Sequence, residues 1–228
     1  MNRLTSNRRG AAPAVTLTLA LLAGLAGSPG ARAAQPLPVA LAEGSSLKLE
    51  GKSNVHAYHS VAGKLDFALT ADAPVTTVAA LDSLIRAGGV KALDLTIPVA
   101  QMHSGKDGLD KNMQKALKAE ANPSITFHLT RYTAVQFPAG GDSLDVRATG
   151  KLAVAGVERD VELPAVARRS ANTIELTGMK PLLMTDFGVK PPTLMMGALR
   201  TEDGVVIHYR LLLGFQAPAG TVQKEGAR

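Results

Sequence analysis

The feature that most constrains this chain is an alternation of apolar and polar side chains, one residue in two, that returns eight times between Leu47 and Phe215. That period puts neighbouring side chains on opposite faces of an extended backbone, so each segment reads as a strand with one face to bury. In the first half, Leu47, Leu49 and Gly51 alternate with Lys48, Glu50 and Lys52, and Val61, Gly63, Leu65, Phe67 and Leu69 with Lys64, Asp66 and Ala68. Leu93, Leu95, Ile97 and Val99 follow, then Ile125, Phe127 and Leu129 against Thr126, His128 and Thr130. The second half is cleaner: Leu144 to Val154, Val157 to Leu163, Ile174 to Gly178 and Val205 to Phe215 each keep one apolar face.

Two interruptions change period. Val78 to Ala87 is a short apolar-rich helix stopped by Gly88-Gly89. Leu109 to Glu120 places Leu109, Met113, Ala116 and Leu117 along one helical stripe, and Pro123 ends it. Ala139-Gly140-Gly141-Asp142 and Ala155-Gly156 read as hairpin turns. The expected fold is all-β, an eight-stranded antiparallel barrel over residues 46–216 with one or two short helices, since closure removes sheet edges. A two-sheet sandwich is the alternative, because periodicity alone does not report closure.

The ends carry no strand signal. Arg3, Arg8 and Arg9 precede an uncharged apolar run, Ala11 to Ala26, and Ala31-Arg32-Ala33 supplies a small-x-small cleavage pattern. The run is shorter than the ~20 residues a membrane-spanning helix needs. Residues 1–33 are therefore expected to be a signal peptide, residues 34–45 a mobile lead-in and residues 217–228 a tail, with a periplasmic or secreted destination and no stable membrane span after cleavage. Removing the leader takes four arginines with it, so the balance falls from 25 basic against 19 acidic residues to 21 against 19. That near-neutrality removes the main support for nucleic-acid binding. With no cysteine, disulfides, thiol nucleophiles and thiolate metal sites are excluded.

A barrel of this size is either filled by side chains or holds one small ligand. Glycine and alanine at Gly51, Gly63, Ala148, Gly150 and Gly178 among the inward residues leave room for a cavity; equally, glycines let strands coil. The inward residues expected to line it are Leu65 and Phe67, Leu95 and Ile97, Phe127 and Leu129, Val146 and Leu152, Leu163, Ile174 and Leu176, and Ile207 and Leu211. The natural guest of such a lining is a hydrocarbon chain.

Several stretches resemble the YceI-like family. They are Leu47-Lys-Leu-Glu-Gly-Lys-Ser-Asn-Val-His56, Ile97-Pro-Val-Ala-Gln-Met-His-Ser-Gly105 with Leu109-Asp-Lys-Asn-Met-Gln-Lys-Ala-Leu117, Asn122-Pro-Ser-Ile-Thr-Phe127, and Gly150 to Val161. Met184-Thr-Asp-Phe-Gly-Val-Lys-Pro-Pro-Thr-Leu-Met-Met-Gly197 resembles a subgroup in which that stretch precedes the last strand. The similarity spans roughly residues 45 to 215. It implies a lipocalin-like barrel, a periplasmic or secreted setting, and an apolar lipid partner, a polyisoprenoid or isoprenoid quinone, with no cofactor and no catalysis. A ligand-free structural or envelope-stress barrel is the other reading.

Two further features bear on a ligand. Met184, Phe187, Met195 and Met196 flank the stiff Pro191-Pro192 and either close a barrel mouth over a guest or pack as an ordinary loop. A polar head is expected to meet His103, Lys106 and Lys111 at the start of the second helix, where free N–H groups favour an anion. Enzymatic and metal chemistry find little footing. His56 and His59, three apart, point to opposite faces of a strand unless the chain bends. His128 and His208 fall on outward faces, no HExxH or Gly-x-Ser-x-Gly pattern occurs, and Ser104 has no evident base or acid partner.

Overall fold

Seven of the eight periodic segments fall on a single strand each, and the eighth, Val61 to Leu69, is split between two, in the structure, a computed structural model that describes residues 35–36, 39–137, 143–194, 196 and 198–215. The chain divides into Met1–Arg32 and Ala33–Arg228, and all described residues belong to the second part. The expected leader, the Ala139–Asp142 turn, Met195 and the tail lie outside the described residues. The elements are β1 (Gln35–Pro36), β2 (Val39–Leu41), β3 (Ser46–Ser53), β4 (Ala57–Ala62), β5 (Asp66–Ala71), α1 (Val78–Arg86), β6 (Val90–Pro98) and β7 (Met102–His103). After them come α2 (Asp107–Ala116), β8 (Ser124–Gln136), β9 (Ser143–Val154), β10 (Val157–Arg169), β11 (Ile174–Leu183), β12 (Thr193–Leu194) and β13 (Leu199–Phe215).

All the pairings are antiparallel, and the long strands run β5-β6-β8-β9-β10-β11-β13-β3-β4 across one sheet. Short stitches return that path to its start. Strands β4 and β5 are two halves of one stave broken at residues 63–65. The first pairs with β3 and the second with β6. Strand β7 continues β6 beyond a single 3-10 turn and pairs with β4 through Val61 and Ala62. Strand β1, upstream of β3, pairs with β5 through Gln35 and Ala71. Counting broken staves once gives the eight-staved lipocalin-like barrel; the thirteen short and long strands are its pieces. The pieces form a single curled sheet and not two stacked layers. The segment expected as a loose lead-in contributes β2, whose Val39 to Leu41 pair with Phe215 to Leu213 of β13.

Alternation fails where the backbone breaks step. Along β4 the buried positions are Ser60 and Ala62, with Val61 facing out, whereas along β5 they are Leu69 and Ala71. The break at residues 63–65 swaps the two faces, so the expectation that Val61 points inward is corrected. In β8 the register slips between Leu129 and Arg131. One extra residue in a strand reverses the inward set beyond it, which turns Tyr132 into the barrel where strict alternation would turn it out. The β9–β10 turn is a two-residue loop with Ala155 at φ 51° and Gly156 at φ 84°, the positive-φ pair that matches strand twist.

The inward glycines are filled positions. Tyr58 packs over Gly51, its direct cross-strand partner, and Tyr209 over Gly178 in the same relation. Phe127 packs over Gly150, which also lies against the His128 carbonyl. Each ring occupies the volume a Cβ would need, so these glycines seat aromatic side chains against the wall and do not themselves make the hollow. Gly150→Ala is expected to cost about 1–3 kcal/mol in urea unfolding, because the new methyl meets backbone and a ring in a packed wall. Gly204→Ala, with open space around it, is expected to stay within about 0.5 kcal/mol of the parent.

Candidate ligand cavity

The two ends of the barrel are built differently. At one end α1 seals the interior. Thr77 Oγ1 accepts from the Ala80 N–H at 3.2 Å to start the helix, and Arg86 holds the buried Asp82 carboxylate at 2.9 Å. Leu81, 0 % exposed, and Ile85 pack with Leu69, Leu144, Ile174 and Leu213 into a solid core. Tyr132 fastens the helix from within: its hydroxyl donates to the Ile85 carbonyl at 3.0 Å and accepts from the Val90 N–H at 3.3 Å.

At the other end α2 lies across the barrel with none of its residues buried. Leu109, Met113 and Ala116 turn toward the interior and line it. Between the plug and this looser cover lies a cavity of about 290 Å³, near the lower bound of small-molecule sites. His56 and His59 line it and are exposed, so the cavity reaches solvent at the β3–β4 hairpin. The polar residues Ser53, His56, His59, Ser104, Asn112 and Thr201 sit around this end, and aliphatic side chains line the depth. Among the described residues no Lys, Arg, Asp or Glu lines the cavity. Its tyrosines stay neutral: burial raises the Tyr58, Tyr132 and Tyr209 phenols above their ordinary range, with the Glu202 carboxylate adding to the effect at Tyr58. The Tyr209 hydroxyl donates to the Pro164 carbonyl.

The structure brings most of the expected lining together. Leu95, Ile97, Phe127 and Leu129 line the cavity from β6 and β8. Val146, Leu152, Leu163 and Leu176 line it from β9, β10 and β11, and Ile207 and Leu211 from β13. Three residues go elsewhere. Ile174, the first residue of β11, is consumed by the solid core under α1. Leu65, on the broken stretch of its stave, and Phe67 pack into the walls as partly buried side chains. Met184 and Phe187 border the cavity, while Met196, at 108 % exposure and φ 56°, points away from it; Pro192, Leu199 and Thr201 take the place expected of it. Residues that the sequence reading missed include Tyr58, Ser60 and Tyr132, each hidden by a change of step, and Met102 on β7, a strand of only two residues.

The expected head-group cluster does not reach the cavity. His103, Lys106 and Lys111 are exposed and outside its lining. Asp107 and Asp110 already occupy the first turn of α2, which makes a poor site for a second anion. Asp110 accepts from the Ser104 hydroxyl at 2.5 Å and amide at 2.7 Å, with His103 at 3.7 Å from its other oxygen. Ser104 therefore has an acid partner after all. The order is wrong for a nucleophile, because the hydroxyl is bonded to the carboxylate and the imidazole does not lie between them. His128 and His208 face out and pair with Asp94 at 2.5 Å and Glu50 at 3.1 Å. His56 and His59 both reach the rim because the chain turns ahead of β4, yet among the described residues no group of three His, Cys, Asp or Glu is placed to hold a metal ion.

A closed antiparallel ring around one apolar cavity, plugged at one end and mouthed at the other, defines a lipocalin-like barrel. A model of the YceI-like domain matches residues 42–212, and the chain belongs to that family. Among curated proteins none matches. Of solved structures, BcnA of Burkholderia cenocepacia is 20 % identical with a TM-score of 0.55, covering 74 % of this chain and 95 % of its own. A polyisoprenoid binding domain from Saccharophagus degradans implicated in plant cell wall breakdown is 14 % identical with a TM-score of 0.56, covering 79 % of this chain and 99 % of its own. At these identities the likeness is one of fold.

The Ser104 hydrogen bonds, with a contribution from His103, hold the Asp110 carboxyl below its ordinary range. A depressed carboxylate stabilises the fold above the unfolded-state value near ~3.9 and loses that contribution as pH falls through the folded-state value. The Ser104 amide is therefore expected to keep its hydrogen-exchange protection, corrected for intrinsic rates, at about pH 5 and to lose it only in stronger acid. Asp110→Ala, which removes the acceptor, is expected to lose that protection at neutral pH.

Proposed function

We propose that this chain is a non-catalytic periplasmic or secreted binding protein that sequesters or carries one apolar isoprenoid-type lipid, a polyprenyl chain or isoprenoid quinone, in the barrel interior. The observation that carries the reading is the largely aliphatic lining of a cavity packed against α1 at one end and reaching solvent at the α2 end, with no Lys, Arg, Asp or Glu among its described residues. Such a wall removes hydrocarbon from water along most of its length, and its described lining presents none of those four to a charged substrate. Each buried methylene is worth about 0.8 kcal/mol, so a five-carbon isoprene unit brings about 4 kcal/mol before the costs of association. Family membership supports the reading, as does the polyisoprenoid-binding description of the Saccharophagus domain. The leader-like residues 1–33 support the location, and no helix among the described residues is long and apolar enough to cross a membrane.

The test is mass spectrometry of an organic extract of protein purified under native conditions, beside a variant whose cavity is filled. Ala148 lines the cavity without being fully buried, so Ala148→Phe places a ring in the hollow. The parent is expected to yield a prenyl lipid near one per chain, and the variant at least about tenfold less, with Tm unchanged or higher as in other cavity fillings. Repeatedly empty extracts from the parent would favour the ligand-free structural barrel.

A further inference from the structure

One polar group in the cavity wall is left without a partner. Ser60 is 2 % exposed, its Oγ makes no hydrogen bond, and it lines the cavity. It stands between Tyr58 and Ala62 on the inward face of β4, opposite Leu49, which in turn pairs with Ile207 of β13. That places Ser60 one inward step from Tyr58 and the exposed rim, on the side toward α1. A buried hydroxyl forfeits its hydration and gains nothing unless something bonds to it. Such an orphan in a native wall calls for a partner.

The charges around it narrow what that partner is. Among the described residues the cavity lining holds no Lys, Arg, Asp or Glu. The second, shallower groove beside the mouth, about 870 Å³, shares Tyr58 and His59 with the cavity. It holds five carboxylates, Glu50, Asp160, Glu162, Asp186 and Glu202, against the cations Lys52, Arg159 and Lys180. Neither the described lining nor the groove beside the mouth holds an excess of Lys and Arg over Asp and Glu, and an unpaired ion taken into an apolar wall is heavily penalised.

We propose that Ser60 donates a hydrogen bond to an uncharged oxygen, a hydroxyl or carbonyl, at one end of the bound hydrocarbon, and that the cavity thereby selects neutral oxygen-bearing lipids over acids and phosphates. This rests on the lipid-binding reading and goes beyond it by assigning the residue and the head chemistry. The tail then points toward α1 and the oxygen toward the mouth.

Phytol, phytane and phytanic acid share one branched isoprenoid carbon skeleton and differ at one end, phytol carrying a hydroxyl with one double bond beside it. Displacement of a fluorescent probe from the full chain by each, with saturated dihydrophytol as the control for that double bond, therefore compares the heads. The parent is expected to bind phytol about 3- to 10-fold more tightly than phytane, the worth of one net hydrogen bond, and phytanic acid at neutral pH more weakly than phytol. Ser60→Ala is expected to abolish the preference for phytol while keeping the affinity for phytane, which also reports an intact fold. If Ser60→Ala loses phytane, Ser60→Thr and Ser60→Val decide: the first is expected to keep the preference and the second to lack it. Equal binding of phytol and phytane by the parent, a preference that survives loss of the hydroxyl, or phytanic acid bound more tightly than phytol overturns the proposal and leaves the carrier standing. A parent that binds none of the three overturns the carrier reading, and this proposal with it.

Discussion

Closing an antiparallel sheet on itself removes its edges but leaves a column of apolar faces that only side chains, a plug or a guest can fill. In this barrel α1 takes one end of that column. Leu81 and Ile85 drive it in, and the Tyr132 hydroxyl, bonded to the Ile85 carbonyl, anchors its last turn from inside the cavity. The rest follows from that seal. With one end solid, the remaining hollow reaches solvent at the α2 end, where Ser53, His56, His59, Ser104, Asn112 and Thr201 border it. The two helices are thus unequal partners: one is part of the core, the other covers the interior with no residue buried.

How much of this was legible beforehand depended on whether the backbone kept step. Where it did, as in β9 from Leu144 to Val154 and β13 from Val205 to Phe215, alternation alone identified the inward residues, and Val146, Leu152, Ile207 and Leu211 border the cavity. Where it did not, the reading failed for a definite reason. The break at residues 63–65 exchanged faces and concealed Ser60 and Tyr58. The extra residue after Leu129 concealed Tyr132. The short stitches β1 and β7 are too brief to show any period, although they complete the ring. Charge was not decisive: Lys106 caps α2 and Lys111 lies within it, yet Asp107 and Asp110 already occupy its first turn.

Glycine carried two readings at the sequence level, space for a ligand or freedom for coiling, and the structure shows a third. Gly51, Gly150 and Gly178 are seats for Tyr58, Phe127 and Tyr209, so a chain with few aromatics and no tryptophan presses its rings flat against the wall. The cavity survives because those rings lie in the wall and not across the axis. Burial in that wall keeps the Tyr58 and Tyr209 hydroxyls neutral.

The central claim is that a hydrocarbon occupies the space between α1 and α2. Isotope-filtered NOE spectroscopy of the protein with a bound prenyl chain tests it most directly, because it reports which side-chain methyls touch the lipid. The account predicts contacts to Leu152, Leu163 and Ile207, inside the barrel, and none to Val55, Val135 or Met179, which are exposed on its outside. Contacts confined to the exposed methyls would place the lipid on the surface and contradict the account.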